Sequence, residues 1–377
     1  MSTILFISNI TYKITSFSSS SIYAAHKLGM RFIHAANWSE TSAEQIKSLE
    51  KENDITICNV PISRSPFSLS NIEAFKQLCR IVKENNVEYI HCNTPVGGLL
   101  GRLVGKKCGV KKVIYQAHGF HFYKGAPMIN WTVYYFIERI LARFTDAIVT
   151  MNGEDYANAQ KFHLRNKGKV YNVHGVGIDL SEYYGIQQYR ERKRRDLGFK
   201  DDDIVLISMG DLIARKNYII AIEAIFKCKD PNIHYLICGK GEELEKLKQL
   251  AKDLGVHKQV YFLGYRTDIK ELLAAADIFF FTTLQEGMPR SMMEAMAAGL
   301  PCVASNIRGN VDLIENGKGG FLCAPTDSDS FADSIVKLAK SSKLRHKMSE
   351  NNALSIKKYD IRVVEKEIEG IFRREFG

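Results

Sequence analysis

The densest concentration of potential chemistry in this 377-residue chain is the run Leu284-Gln285-Glu286-Gly287-Met288-Pro289-Arg290-Ser291-Met292-Met293-Glu294. Two carboxylates flank a glycine-containing turn that opens a helical pattern, in which the early Pro289 suits a first-turn position lacking an amide partner. Ionised carboxylates only accept hydrogen bonds, so one of Glu286 and Glu294 can take sugar hydroxyls and the other a ribose diol. The start of the helix favours an anion such as a diphosphate, through its unpaired amides and its dipole. The structural alternative is that Glu286 caps the helix and Glu294 lies on a solvated face.

A second run, Ser208-Met209-Gly210-Asp211-Leu212-Ile213-Ala214-Arg215-Lys216-Asn217, again reads as strand, glycine turn and helix, with two cations in the loop. A lysine there can neutralise the charge building on a departing nucleotide diphosphate. A solvated basic pair is the alternative. A third run, Ala117-His118-Gly119-Phe120-His121, places an imidazole that can donate or accept a hydrogen bond without a fixed charge. His91 and His121 are read as structural. Asn93-Thr94-Pro95-Val96-Gly97-Gly98 also opens a helix and suits either an acceptor phosphate or tight packing over small residues.

The elements carrying these residues follow from the alternation of short apolar runs with longer helical patterns, which signals βαβ units and parallel sheets. In the first half the strand candidates are Ile4–Ser8, Phe32–Ala36, Tyr89–Cys92, Val113–Gln116, Ala147–Thr150 and Val170–Val173, with helical periodicity over Ile72–Asn85 and Trp131–Phe144. After a polar link near Gly177 to Gly185 the alternation restarts with Ile204–Met209, Ile233–Cys238, Val260–Leu263, Ile278–Thr282, Cys302–Ser305 and Gly320–Cys323. The expected fold class is α/β, with Rossmann-like domains over 1–183 and 184–360 and a terminal helix over 361–377 packing back on the first. Ligands in such sheets bind outside the carboxyl ends of the strands, where each of the runs above is placed.

Composition narrows the function. Apolar residues make up 45% and charged residues 25%, ordinary globular values that argue against extensive disorder. Eight cysteines without a C-x-x-C pair exclude the usual zinc and disulfide patterns and fit a reducing compartment. The start Met1-Ser2-Thr3-Ile4 reads as a strand and not a signal peptide, and no apolar run is long enough to span a bilayer, so a cytoplasmic location is expected. Residues 1–183 carry about 21 Lys and Arg against about 14 Asp and Glu, so most of the net +10 lies in the first half. No nucleic-acid-reading motif accompanies that charge, and no nucleic acid partner is expected. The segment 131–144, with Lys106, Lys107, Lys111 and Lys112 nearby, reads either as an amphipathic surface for anionic lipid at the inner face of the plasma membrane or as a buried crossover helix.

Taken together, the Glu286…Glu294 spacing, the Gly210…Lys216 loop, Cys238-Gly239-Lys240-Gly241, Phe262-Leu263-Gly264-Tyr265 and Ile307-Arg308-Gly309-Asn310-Val311-Asp312 resemble retaining glycosyltransferases of family 4 over nearly the whole chain. The likeness points to bacterial capsule and exopolysaccharide enzymes. It implies a GT-B fold with two Rossmann-like domains facing across a cleft, no metal and no cofactor, and a nucleotide-sugar co-substrate, UDP-linked. The acceptor it implies is a saccharide on polyprenyl diphosphate. By residue, it implies Glu294 on the ribose, Glu286 and His118 on the donor sugar, and Lys216 on the diphosphate. Amides of Gly287, Met288, Arg290 and Ser291 around Pro289 would line sugar and phosphate, and the backbone near Tyr265 and Arg266 would meet the base. Gly210, Gly239 and Gly241 belong to the same donor site. Asp211 departs from the pattern, since many relatives have arginine there, leaving Arg215 or Arg290 to complete the phosphate clamp. The first loop departs as well, because Asn9–Ser21 contains no glycine. A UDP-sugar epimerase on the same fold and a non-catalytic partner subunit are the rival readings.

Overall fold

The computed structural model describes residues 1–377 and contains two wholly parallel sheets. The first comprises β1 (Thr3–Ile10), β2 (Arg31–Asn37), β3 (Thr56–Asn59), β4 (Tyr89–Asn93), β5 (Lys112–Gln116), β6 (Ala147–Thr150) and β7 (Lys169–Asn172). The second comprises β8 (Ile204–Met209), β9 (Ile233–Cys238), β10 (Val260–Gly264), β11 (Ile278–Phe281), β12 (Cys302–Ser305) and β13 (Gly320–Cys323). Helices cover both faces, so the central strands are apolar without alternation: Ile4 to Ile7 and Ile278 to Phe281 are all buried. The strand order is β3-β2-β1-β4-β5-β6-β7 in one sheet and β10-β9-β8-β11-β12-β13 in the other. Each order reverses once, between β1 and β4 and between β8 and β11, and such a switch point opens a crevice at the carboxyl ends of the strands.

The chain divides into two compact units, residues 1–177 with 361–377 and residues 178–360. The first is completed by the helix Ile361–Phe376, which packs on the helix Ser16–Lys27. The Tyr89 hydroxyl donates to the Phe376 carbonyl at 3.2 Å, and the Phe372 ring meets His91 edge-on.

Two features differ from the sequence reading. Strand β3 has no counterpart there, because it is a four-residue edge strand whose Thr56, Ile57 and Cys58 are only half buried and form no apolar run. The segment read as one helix over 131–144 begins with a wide π turn, Asn130–Tyr134, and becomes α-helical only over Tyr135–Ala142. Its apolar face is not buried as a crossover helix requires. Trp131 and Tyr135 pack inward on Phe122, whereas Met128, Ile129, Val133, Phe136, Ile137 and Ile140 are exposed.

Candidate active site

In the second unit, the loops leaving β8 and β11 are stitched together at the switch point. Leu284 N–H donates to the Arg215 carbonyl at 2.9 Å, the Asn217 side-chain amide donates to the Thr282 carbonyl at 3.2 Å, and the Thr282 hydroxyl donates to the Lys216 and Asn217 carbonyls at 3.2 and 3.0 Å. This lattice fixes Lys216 beside Glu286. The ammonium donates to Glu286 Oε1 at 2.7 Å, the Thr283 hydroxyl donates to the same oxygen at 2.9 Å, and Arg215 Nη1 reaches it at 3.2 Å. Lys216 and Glu286 keep 12% and 13% of their side-chain exposure, so removing one would leave the other desolvated and unpaired. Arg308, buried after β12, donates from Nε to the Glu286 carbonyl at 3.0 Å and braces the turn.

Glycines make the close approaches possible. A Cβ on Gly239 would lie 1.9 Å from the Gly210 carbonyl oxygen and one on Gly241 would lie 2.2 Å from that of Leu212, so the loop after β8 rests directly on their backbone. Gly309, at φ +83°, passes within 2.7 Å of the Gly287 carbonyl measured from the same hypothetical Cβ.

Pro289 flanks the helix Arg290–Ala297, one position earlier than the sequence reading placed it, and Met288 and Ser291 are half buried around it. Glu294, one turn further along the same helix, accepts from Arg290 Nε at 2.9 Å, so each glutamate is paired with a cation. Burial pushes the Tyr183 phenol up, and the neighbouring Glu294 carboxylate pushes it further. Tyr265 projects into solvent at the end of β10. Arg266 forks onto Asp268 at 2.7 and 2.6 Å, and that guanidinium holds the Asp268 carboxyl well below the usual carboxylate range despite partial burial. Asp211 is exposed.

In the first unit the switch point is formed by Ser8 and Asn9 from β1, Asn93 from β4 and Thr94 just after it. Asn9 Oδ1 accepts from the Thr94 hydroxyl and from Gly97 N–H, both at 2.8 Å, which holds Thr94 at φ +67°. Both glycines here answer to packing. A Cβ on Gly98 would lie 2.3 Å from the Tyr115 ring and one on Gly97 would lie 2.8 Å from the Thr94 hydroxyl. His118 Nε2 lies 2.6 Å from Asn93 Oδ1, and the Phe17 ring meets the imidazole edge-on at 4.7 Å. Burial lowers the His118 pKa to about 4, so the ring is neutral at physiological pH.

Beside His118 lies a cavity of about 350 Å³ lined by Ser8, Tyr12, Lys13, Phe17, His34 and Asn93 among others, with no carboxylate in its wall. The sequence reading missed Phe17, Lys13 and His34, whose spacing carries no motif, and it quoted Arg308 only within the motif over 307–312, without its contact to the turn, which arises through tertiary folding. His91 is fully buried against Ser21, and the half-buried His121 ring stacks on Tyr134.

Two families match by sequence, Glycosyl transferases group 1 over residues 189–354 and Glycosyl transferase 4-like over residues 18–152. EpsD of Bacillus subtilis is 35% identical over 297 residues, 78% of each chain. The UDP-Gal:alpha-D-GlcNAc-diphosphoundecaprenol alpha-1,3-galactosyltransferase of Escherichia coli is 30% identical over 288 residues, 75% of this chain and 74% of that one. Among solved structures, HepE from Anabaena in complex with UDP superposes with a TM-score of 0.79 over 99% of this chain and all of that one, at 20% identity. That likeness shows the GT-B fold.

Proposed function

Since the chain belongs to the group 1 glycosyltransferases, we propose that it transfers a sugar from a UDP-sugar to a saccharide carried on polyprenyl diphosphate, with retention at the anomeric carbon and without a metal. The observation carrying the donor half is the Lys216, Arg215 and Glu286 cluster at the β8/β11 switch point. Lys216, desolvated next to a carboxylate, is already oriented, and an incoming diphosphate offers it a second anion. In the proposed reaction the acceptor hydroxyl attacks the face the nucleotide leaves from, and its proton passes to the departing phosphate oxygen. The carbon–oxygen bond to UDP breaks as the new glycosidic bond forms. Lys216 and the amides at the start of Arg290–Ala297 stabilise the charge on that oxygen. Glu286 and neutral His118 orient sugar hydroxyls, and Glu294 takes the ribose diol. The Asn93 to Gly98 segment takes the acceptor's phosphate; the E. coli and Campylobacter jejuni relatives are named for diphosphoundecaprenol-linked acceptors.

A peripheral position at an anionic bilayer surface forms part of the same reading, supported by the exposed apolar stripe Met128 to Ile140. No helix is long and apolar enough to cross a membrane. Glu138, the one acidic residue of Tyr135–Ala142, turns inward to Arg102 at 2.6 Å, leaving the outward face without negative charge. Of the four nearby lysines, Lys111 pairs with Glu88, Lys112 pairs with Glu375 and Lys106 lies over the Phe144 ring.

The test is a screen of UDP- and GDP-sugars for nucleotide release with a polyprenyl-diphosphate saccharide, in the presence and absence of a chelator. Acceptor-dependent UDP release that survives chelation is expected. Rearrangement of the donor with no acceptor present, followed by NMR, would replace the transferase reading with an epimerase.

A further inference from the structure

The carboxylate of Glu286 is held by one of its two oxygens. Lys216 Nζ at 2.7 Å, the Thr283 hydroxyl at 2.9 Å and Arg215 Nη1 at 3.2 Å all donate to Oε1. Oε2 meets no donor, and the side chain keeps 13% of its exposure, so this second oxygen is the open face of the group. A carboxylate oxygen accepts hydrogen bonds and donates none.

The three donors respond differently to a nucleotide diphosphate. Lys216 and Arg215 are cations, and a diphosphate competes with Glu286 for both. The Lys216 ammonium lies 3.5 Å from where a Cβ on Gly210 would stand, so it borders the loop after β8 as well as the carboxylate. Thr283 is uncharged and fully buried, two residues beyond β11, and cannot turn toward a substrate. Its single hydroxyl proton has three acceptors in range. The Arg215 and Gln285 carbonyls each lie 3.3 Å away and Glu286 Oε1 lies 2.9 Å away, and the shorter, charge-assisted bond goes to the carboxylate. When charge on the departing phosphate draws Lys216 away, Thr283 is the donor that stays on Oε1.

We propose that Thr283 is a positioning residue which, by pinning Oε1, commits Oε2 to one group of the transferred sugar, and that this group must bring an O–H or N–H. The contact admits a hydroxyl or an amide and rejects a deoxy, fluoro or carboxylate substituent at that carbon. The inference rests on the donor reading above, which gives Glu286 to the sugar, and adds how the carboxylate is aimed and what it selects.

The experiment follows transfer by the intact protein from UDP-glucose, UDP-galactose and their N-acetylated amino sugar counterparts, and then from the monodeoxy derivatives of whichever turns over. One deoxy position is expected to lower kcat/KM about a hundredfold and the others less than about threefold. Thr283→Val keeps the shape of the side chain without its hydroxyl. It is expected to lower kcat about tenfold, to bind UDP as the parent does, and to shrink the penalty at the sensitive position to about tenfold. Thr283→Ser restores the hydroxyl and is expected to recover both quantities. A valine variant with parental kcat, or with the full deoxy penalty intact, overturns the positioning role. A valine variant whose UDP binding falls together with kcat has lost the site as a whole, which overturns it too. A parent enzyme that turns over none of these donors removes the donor reading and this inference with it, a result distinct from the other two.

Discussion

At the first switch point the candidate residues are uncharged apart from Lys13: a buried imidazole on an asparagine, hydroxyls, and a cavity without carboxylates. At the second they are ions held in pairs, Lys216 and Arg215 on Glu286 and Arg290 on Glu294. The two sheets share a topology, so the backbone does not explain the contrast. It follows from what each loop can desolvate. Histidines shed their charge on burial, whereas lysine and glutamate keep theirs only by burying it together. A fold duplicated in outline thus offers one crevice suited to polyols and another suited to a polyanion.

The largest test of the contrast is pH. Burial lowers the pKa of His34 and of His91 to about 3 in the first unit. Below the unfolded value near 6.5 the unfolded chain takes up protons that the folded unit refuses, so stability falls as pH falls. Between pH 6.5 and 4.5 the loss is about 5 kcal/mol for the two rings together. In the second unit, Asp268 has its pKa lowered by Arg266, so its contribution persists above the unfolded value of 3.8 and is lost only below it. Hydrogen exchange at pH 7, 5.5 and 4.5 should therefore show first-unit amides opening before second-unit ones, and simultaneous opening would erase the distinction.

Next in size is Lys216→Ala, expected to cost about 3 kcal/mol in turnover, a fall of roughly a hundredfold, with a smaller change in donor affinity. Equal losses in kcat and in UDP affinity would make Lys216 a uniform binding residue. Glu294→Ala should weaken UDP binding by about tenfold in titration calorimetry and lower the melting temperature modestly, since it removes a diol acceptor and also the partner of Arg290 and of the buried Tyr183 hydroxyl. Tyr265→Ala should change UDP affinity least, by under about 0.5 kcal/mol, because the proposed contact to the base is through backbone and the ring is exposed. A large effect there would assign the ring itself to the base.

Much of the architecture was legible because parallel strands covered on both faces must be apolar throughout, as in Ile4 to Ile7 and Phe279 to Phe281. Edge strand β3 escaped since its half-buried residues need no such run. In the candidate site, Lys216 and Glu286 stand 70 positions apart, yet each follows a recognisable strand and turn, and the structure brings them within 2.7 Å. Phe17 was not legible, and Arg308 was quoted within a motif but without its bracing role, since what makes both relevant is a contact across the fold and not a local spacing. Gly239 and Gly241 were quoted from the sequence for a nucleotide, and their packing gives them a further reason to be glycine: the carbonyls of the β8 loop leave no space for a methyl group. The stripe over 128–140 shows the reverse limit, for periodicity identifies an apolar face and says nothing of what will cover it.

The helix Ile361–Phe376 completes the first unit although the whole second unit precedes it in the chain. During synthesis the ribosome therefore delivers every residue of the second unit before the segment that covers Tyr89 and His91. The unit begun first is finished last, with an unsealed flank exposed through the interval, and a stalled or clipped product lacking this segment would be recognisable to proteases by that open side.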